Sequence, residues 1–371
     1  MMNNNTKHNS SFKLPTFSYF FFGFAALSVI IYLIAINNEP FADYVNVNIS
    51  TVFRGILAAV TNVIPISLAE LFVICSPVIL FFIIRFAIKR YTRSWRDVAI
   101  FCTIVLSIVA LLFSIFVFSF GIAYHTSSLD KKLELDKKNV SAQELADTAE
   151  WLISEVNAII DEVEFEDKGS STLPCTIREM NDKLLFSYSN LSKEYPFLPT
   201  LKSYIKPIML SEPMTYTHIA GVYTFFTGEA NLNTNGPDYS LVYTTAHELS
   251  HQRGIAREDE ANFIAFLACA SSDDPYIKYC GYMNLCEYVL NALYSADQKL
   301  WKSTYSQLDD RAIYEMIAYN EHYKKYRDNI VGEISGAIND AYLQANGTVG
   351  SISYGLVVDL AVAYFHKNIE N

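Results

Sequence analysis

Three long apolar runs dominate the first third of the chain. Phe17 to Ile36 is twenty residues without a charge, Ile66 to Ile84 is nineteen with only Glu70 near its start, and Val98 to Tyr124 is twenty-seven with none. A helix needs roughly 20 apolar residues to cross a hydrocarbon core about 30 Å thick. Each run therefore predicts a membrane span, the third long enough to tilt or to continue past the bilayer. Lys7 and Lys13 ahead of the first run would also suit a signal peptide. The run is long for one, however, and Ile34-Ala35-Ile36-Asn37-Asn38 is a poor small-residue cleavage site, which predicts an uncleaved span. Between the first two spans, Ile49 to Val63 is moderately apolar. It fits either an interfacial helix lying along the membrane face or a short loop packed on the domain that follows.

After Tyr124 the pattern changes to the 3.6-residue period of amphipathic helices. Leu129 to Lys138 predicts a charged helical stalk. Ser141-Ala142-Gln143-Glu144 is a capping box opening a helix through Ile160, with Leu145, Trp151, Leu152 and Val156 in its apolar stripe. Further helices are expected over Ile177 to Glu194, Pro275 to Ser295, Ala296 to Ser306, Asp309 to Val331 and Gly355 to His366, the last too short to span a bilayer. Tyr216 to Phe226 is rich in aromatic and β-branched residues and predicts strands or a hairpin. The fold class is mainly α with a small β-sheet, an α+β domain over residues 125–371 preceded by a membrane region over residues 1–124.

Charge orients the spans. Arg85, Lys89, Arg90, Arg93 and Arg96 lie between spans two and three, against Arg54 alone between spans one and two. The positive-inside rule then puts that second loop and the N-terminus in the cytoplasm and the C-terminal domain outside, with the bilayer as a partner. A net charge of −11, concentrated in that domain in runs such as Glu155 to Asp167, excludes nucleic acid, whose phosphates call for a basic face. Of six Cys, Cys75 and Cys102 fall in spans. Cys175, Cys269, Cys280 and Cys286 lack the density of a disulfide scaffold, and the last three sit in apolar helical patterns as core residues.

The candidate chemistry lies in Thr244-Thr245-Ala246-His247-Glu248-Leu249-Ser250-His251-Gln252-Arg253-Gly254. In a helix His247 and His251 sit one above the other, so both imidazoles can reach one metal ion. Glu248 lies beside that face, placed to take a proton from water at the metal. Gly254 is a natural helix stop that would let the chain reverse. The next segment, Ala256 to Leu267, starts with an acidic turn and becomes apolar from Ala261. Glu258 and Asn262 are four apart on one face, Glu258 as third ligand and Asn262 as hydrogen-bond partner of a ligand histidine. Glu260 competes with Glu258 for the ligand role, and Asp259 is a weaker rival.

His-Glu-x-x-His followed by Glu-x-x-Ala-Asn resembles the zincin pattern of ImmA/IrrE-type peptidases and, with Asn262 in place of Asp, that of HtpX-like and CAAX-prenyl-protease-like membrane enzymes. In those families the first Glu of the second motif, here Glu258, is the third zinc ligand. Through Ile64-Pro65-Ile66-Ser67-Leu68, Gly221 to Asn231 and His247 to Phe263, nearly the whole chain is similar to a bacterial family known as domain of unknown function 3810. That resemblance implies three spans and a gluzincin-like peptidase domain, without a substrate. It also suggests Tyr223 to Asn233 as a substrate-aligning edge strand, with His218 and Tyr223 as candidate oxyanion donors.

The expected function is thus a membrane-anchored zinc metallopeptidase acting on a protein, peptide or cell-wall peptide. His247, His251 and Glu258 would hold Zn2+ or another divalent metal, and Glu248 would be the general base. No protein partner is indicated. The alternative is a non-catalytic zincin-like membrane protein that binds or signals, against which the intact Glu248 speaks.

Overall fold

The computed structural model describes residues 14–166, 169–350 and 355–370; Lys7, Lys13 and Asp167, used above for orientation and charge, lie outside them. Three helices are long and apolar enough to cross a membrane: α1 (Thr16–Ile36), α4 (Leu68–Tyr91) and α5 (Trp95–Ser119). Ser67 and Ser94 cap α4 and α5 by accepting the Glu70 and Asp97 main-chain N–H groups. The third apolar run does not stay helical to Tyr124. It leaves the α-helix at Phe120 and turns through a 3-10 segment, Gly121–His125, whose residues up to Tyr124 are buried.

Between α1 and α4 lie α2 (Glu39–Val45), a π turn (Asn46–Ser50) and α3 (Thr51–Asn62). Of the two readings of this stretch, each face of α3 supports one. Arg54, Ala58 and Thr61 are buried against the C-terminal region, while Val52, Ile56 and Val60, spaced four apart, form an exposed apolar stripe.

The C-terminal region holds the largest hydrophobic core. The expected charged stalk is not one: only α6 (Leu129–Lys132) is helical, and Leu129, Leu133 and Leu135 are buried in that core. Three leucines among the charges outweighed helix propensity, since burying them needs the chain to turn back rather than extend. α7 (Ala142–Ile159) and α8 (Ile177–Glu194) open with complete capping boxes at Ser141 and Thr176. β1 (Lys206–Pro207), α9 (Ser211–Thr215), β2 (Gly221–Thr224) and β3 (Glu229–Leu232) follow, then α10 (Asp238–Gln252), α11 (Glu258–Ala270), α12 (Pro275–Ala296) and α13 (Gln298–Tyr305). The helix expected over Asp309 to Val331 is two, α14 (Asp310–Lys324) and α15 (Ile330–Ala345), because Asn329 caps the second by accepting the Gly332 N–H. α16 (Val357–Phe365) ends the core.

The sheet has three strands in the order β1-β3-β2, with β3 parallel to β1 and antiparallel to β2. β3 is fully buried and central, so of the expected edge strand Tyr223 to Asn233 only the β2 part is an edge. Cys269, Cys280 and Cys286 are buried thiols in the core, and Cys75, Cys102 and Cys175 are also free.

One core group makes stability depend on pH. Glu287 on α12 accepts a 2.8 Å hydrogen bond from the Tyr239 hydroxyl. Burial pushes its carboxyl up to about 7, with that hydrogen bond opposing and the Glu315 charge adding to the shift. The folded pKa lies above the unfolded value of about 4.3, so the folded state holds the extra proton between those two values. Stability therefore falls as pH rises from about 4.3 to 7, by roughly 3–4 kcal/mol from this group. Thermal melts of the full chain from pH 5 to 8 should show that decline, and Glu287→Gln should flatten it. An unaltered slope in the variant would remove Glu287 as its source.

Candidate metal centre

α10 brings His247 and His251 to one face, with ring centroids 4.5 Å apart and planes at 89°. The helix is held from behind: Tyr188 on α8 donates to Ala246 O at 2.6 Å and lies 2.7 Å from the Ser250 hydroxyl. Gly254, at φ +88°, reverses the chain after α10. Only glycine fits there, because a Cβ would meet the Arg54 guanidinium at 2.5 Å and Asn46 Oδ1 at 2.7 Å. The return places Glu258, in the first turn of α11, across from both histidines. Its Oε2 lies 3.1 Å from His247 Nε2 and 3.3 Å from His251 Nε2.

The far nitrogens are anchored. His247 Nδ1 is 2.8 Å from Asn262 Oδ1, and His251 Nδ1 is 2.7 Å from Ile255 O. A carbonyl oxygen can only accept, so His251 carries its proton on Nδ1 and turns the Nε2 lone pair toward Glu258. Two imidazole nitrogens and a carboxylate oxygen then converge on one point, which a cation or an extra proton must occupy. Burial works to lower the His251 pKa, but the Glu258 charge and hydrogen bond raise it to about 9. Burial likewise works to raise Glu258, and the His251 charge and the hydrogen bonds from both histidines hold it far below the usual carboxylate range.

These three residues form the one group of three or more His, Cys, Asp or Glu among the described residues whose ligand atoms come together, all within 4.8 Å of one another. The donor set fits a divalent metal with an open position. Glu260 is engaged elsewhere: its Oε1 pairs with Arg257 at 2.6 Å and accepts the Leu129 N–H at 2.8 Å. Asn262→Ala removes the support of His247, and an expected 10- to 100-fold loss of metal affinity follows, readable by chelator competition. Unchanged affinity would make that hydrogen bond incidental.

Glu248 lies beside the cluster under β2. A Cβ on Gly221 would meet Glu248 Oε1 at 2.6 Å, so the strand approaches this closely only because residue 221 is glycine. Burial raises the Glu248 carboxyl to about 6, against the lowering charges of His247 and His251; Glu258 adds to the rise and the Tyr223 main-chain N–H opposes it. Its Oε2 is buried without a hydrogen-bond partner. A buried, unpartnered carboxylate oxygen beside a converging ligand set is what a proton acceptor for water would need.

The two candidate oxyanion donors are placed differently from expectation. The Tyr223 side chain packs on Phe120 with centroids 5.3 Å apart, and burial pushes its hydroxyl up to about 12, within reach of the Arg54 charge. Its main chain, not its hydroxyl, faces Glu248. His218, in the left-handed region at φ 60°, bonds Tyr326 O through Nε2 at 2.8 Å, tying it to the segment between α14 and α15. Neither joins the cluster. Sequence reasoning passed over Asn46, Arg54 and Phe120. Asn46 donates to Gly254 O at 3.0 Å, Arg54 donates to Asn46 and to Ser119 O, and the Phe120 ring lies 5.6 Å from His251. The one signal was a lone arginine in an apolar stretch.

Among the described residues, the fold and this cluster define a mainly helical protein with three apolar helices long enough to span a membrane and a largely buried His-His-Glu group beside Phe120 at the end of α5. The family model described as protein of unknown function (DUF3810) matches residues 45–362, and the chain belongs to that family. No curated protein and no solved structure matches it.

Proposed function

We propose that this is a membrane-anchored zinc-dependent peptidase with a zincin-like site. The observation that carries the reading is the convergence of His247 Nε2, His251 Nε2 and Glu258 Oε2 on one point, with Glu248 Oε2 buried and unpartnered beside them. Zinc held by these three would lower the pKa of water and polarise a carbonyl. Glu248 would take the proton from the attacking water and return it to the leaving amine. A carboxyl raised toward neutrality is suited to both halves of that transfer, and water exclusion strengthens each charge in the pocket. Asn262 and Ile255 keep the histidine rings aimed. The outer edge of β2 would bind the substrate chain in extended form. By the positive-inside rule the site would face away from the cytoplasm.

The test is hydrolysis of a peptide library by the zinc-loaded full chain, with Glu248→Gln as control. Loss of a general base costs on the order of 10²–10⁴ in rate, so the variant should retain its metal and lose turnover. A zinc-loaded wild type with no turnover above that variant would favour a binding or signalling protein instead.

A further inference from the structure

The strand beside Glu248 leads from the cluster to the ends of the apolar helices. At one end Gly221 touches Glu248. At the other, the β2–β3 turn sets Phe225 5.3 Å from Phe116, one turn inside the end of α5, and Phe226 6.0 Å from Phe72 near the start of α4. Gly228 of the same turn lies against Leu57 of α3. The strand is four residues long, about 13 Å at the rise of a β-strand. Glu248 and the aromatic rings beside the ends of the apolar helices thus lie at the two ends of one short strand.

One side of that strand pairs with no other strand. Asn233 donates to Ala220 O and Gly228 to Thr224 O, so by alternation Ala220, Val222 and Thr224 turn their main-chain groups toward β3. Gly221 and Tyr223 turn theirs outward, where the Tyr223 N–H meets Glu248 and no strand among the described residues pairs with them. The outward apolar stripe of α3, with Val52, Ile56 and Val60 all more than half exposed, is a surface a bilayer would cover, and it flanks the same turn. The segment that follows α5 is tied in as well: Arg257, the residue before Glu258, donates to Tyr124 O at 3.1 Å and Thr126 O at 2.6 Å.

We propose that the substrate is a membrane-anchored polypeptide, bound extended along the outer edge of β2 and cut within the few residues next to its anchor. The inference rests on the hydrolase reading. Water adds across the peptide bond: the C–N bond breaks, a hydroxyl joins the carbonyl carbon and the amine leaves with the proton. A chain rising from a bilayer meets the strand at its Phe225 end and passes Glu248, which lies along Tyr223 to Gly221, after about two to four residues at 3.3 Å each. A free peptide gains nothing from that alignment.

The experiment uses the full chain with zinc in nanodiscs. Substrates carry a randomised stretch of about eight residues, some 25 Å when extended, on a single-span anchor. The stretch is placed either directly after the span or beyond a Gly/Ser spacer of about 25 residues, which holds it roughly 25–30 Å away. A third set is free in solution. Products are read by mass spectrometry. On the Glu248→Gln background, Val222→p-benzoylphenylalanine reports binding by photocrosslinking. Adjacent stretches should be cut at least about tenfold faster than spaced ones, since only they enter β2 from its membrane end and the spacer also dilutes the tethered stretch. Equal cutting of all three sets, or preference for the free set, overturns the substrate class while the hydrolase reading stands. Crosslinking of adjacent stretches without cutting supports the membrane-anchored ligand and overturns the hydrolase reading. Neither cutting nor crosslinking overturns both.

Discussion

Glu258→Gln and His251→Ala should each abolish zinc binding by the full chain, whereas Glu260→Gln should still bind one equivalent. The two acidic residues are two positions apart on the same helical turn, and their surroundings differ. Glu258 Oε2 lies within 3.3 Å of both imidazole Nε2 atoms. Glu260 is spent on Arg257 and the Leu129 N–H. Support residues around a metal are worth 10- to 100-fold in affinity, so removing a ligand itself should cost more than about a hundredfold. Metal content by mass spectrometry and affinity by chelator competition read both. Glu260→Gln should instead lower the melting temperature, because it loosens the contact between the start of α6 and α11. Loss of metal in Glu260→Gln with retention in Glu258→Gln would reverse the ligand assignment.

Arg54→Met is expected to destabilise the protein by about 3 kcal/mol and to weaken metal binding, although residue 54 touches no ligand. The Arg54 guanidinium is fully buried and donates to Asn46 Oδ1 and O, Ser119 O and Thr51 Oγ1. Removing it leaves Asn46 Oδ1 and Ser119 O without that donor, at about 1–3 kcal/mol each before relaxation. It also frees Asn46, which holds Gly254 O in the reversal between the two ligand helices. Arg54→Lys should rescue little, since an ammonium cannot reproduce the planar fork. By the same reasoning a fragment beginning at Lys131 lacks Arg54, Asn46 and Phe120, and should hold zinc more weakly than the full chain. Full-chain affinity in that fragment would show that the site needs nothing from the membrane region.

Much of this was legible along the chain because it rests on local rules. The three apolar helices follow from length and composition, and α7 and α8 from capping boxes that bond within four residues of themselves. His247, His251 and the Glu258–Asn262 pair follow from the 3.6-residue period, which puts residues four apart on one face whatever surrounds them. Other features were not local. Asp309 to Val331 reads as one amphipathic run, yet Asn329 starts a new helix within it. Leu129 to Lys138 reads as a stalk until its leucines meet a core supplied by residues far along the chain.

The sequence by itself determined the three apolar helices long enough to span a membrane, the mainly helical class, the spacing of the His-Glu-x-x-His and Glu-x-x-Ala-Asn residues and membership of a family that their spacing resembles. Only the tertiary structure brought Glu258 rather than Glu260 beside the two histidines, set the Tyr223 main chain rather than its hydroxyl toward Glu248, and made β2 the edge and β3 the centre. It alone brought Asn46 and Arg54 to a turn some two hundred residues away, a separation of 208 for the Asn46–Gly254 hydrogen bond. The reason is physical: spacing within a helix follows from backbone geometry, but which distant groups meet depends on how the apolar faces pack, and no local pattern encodes that.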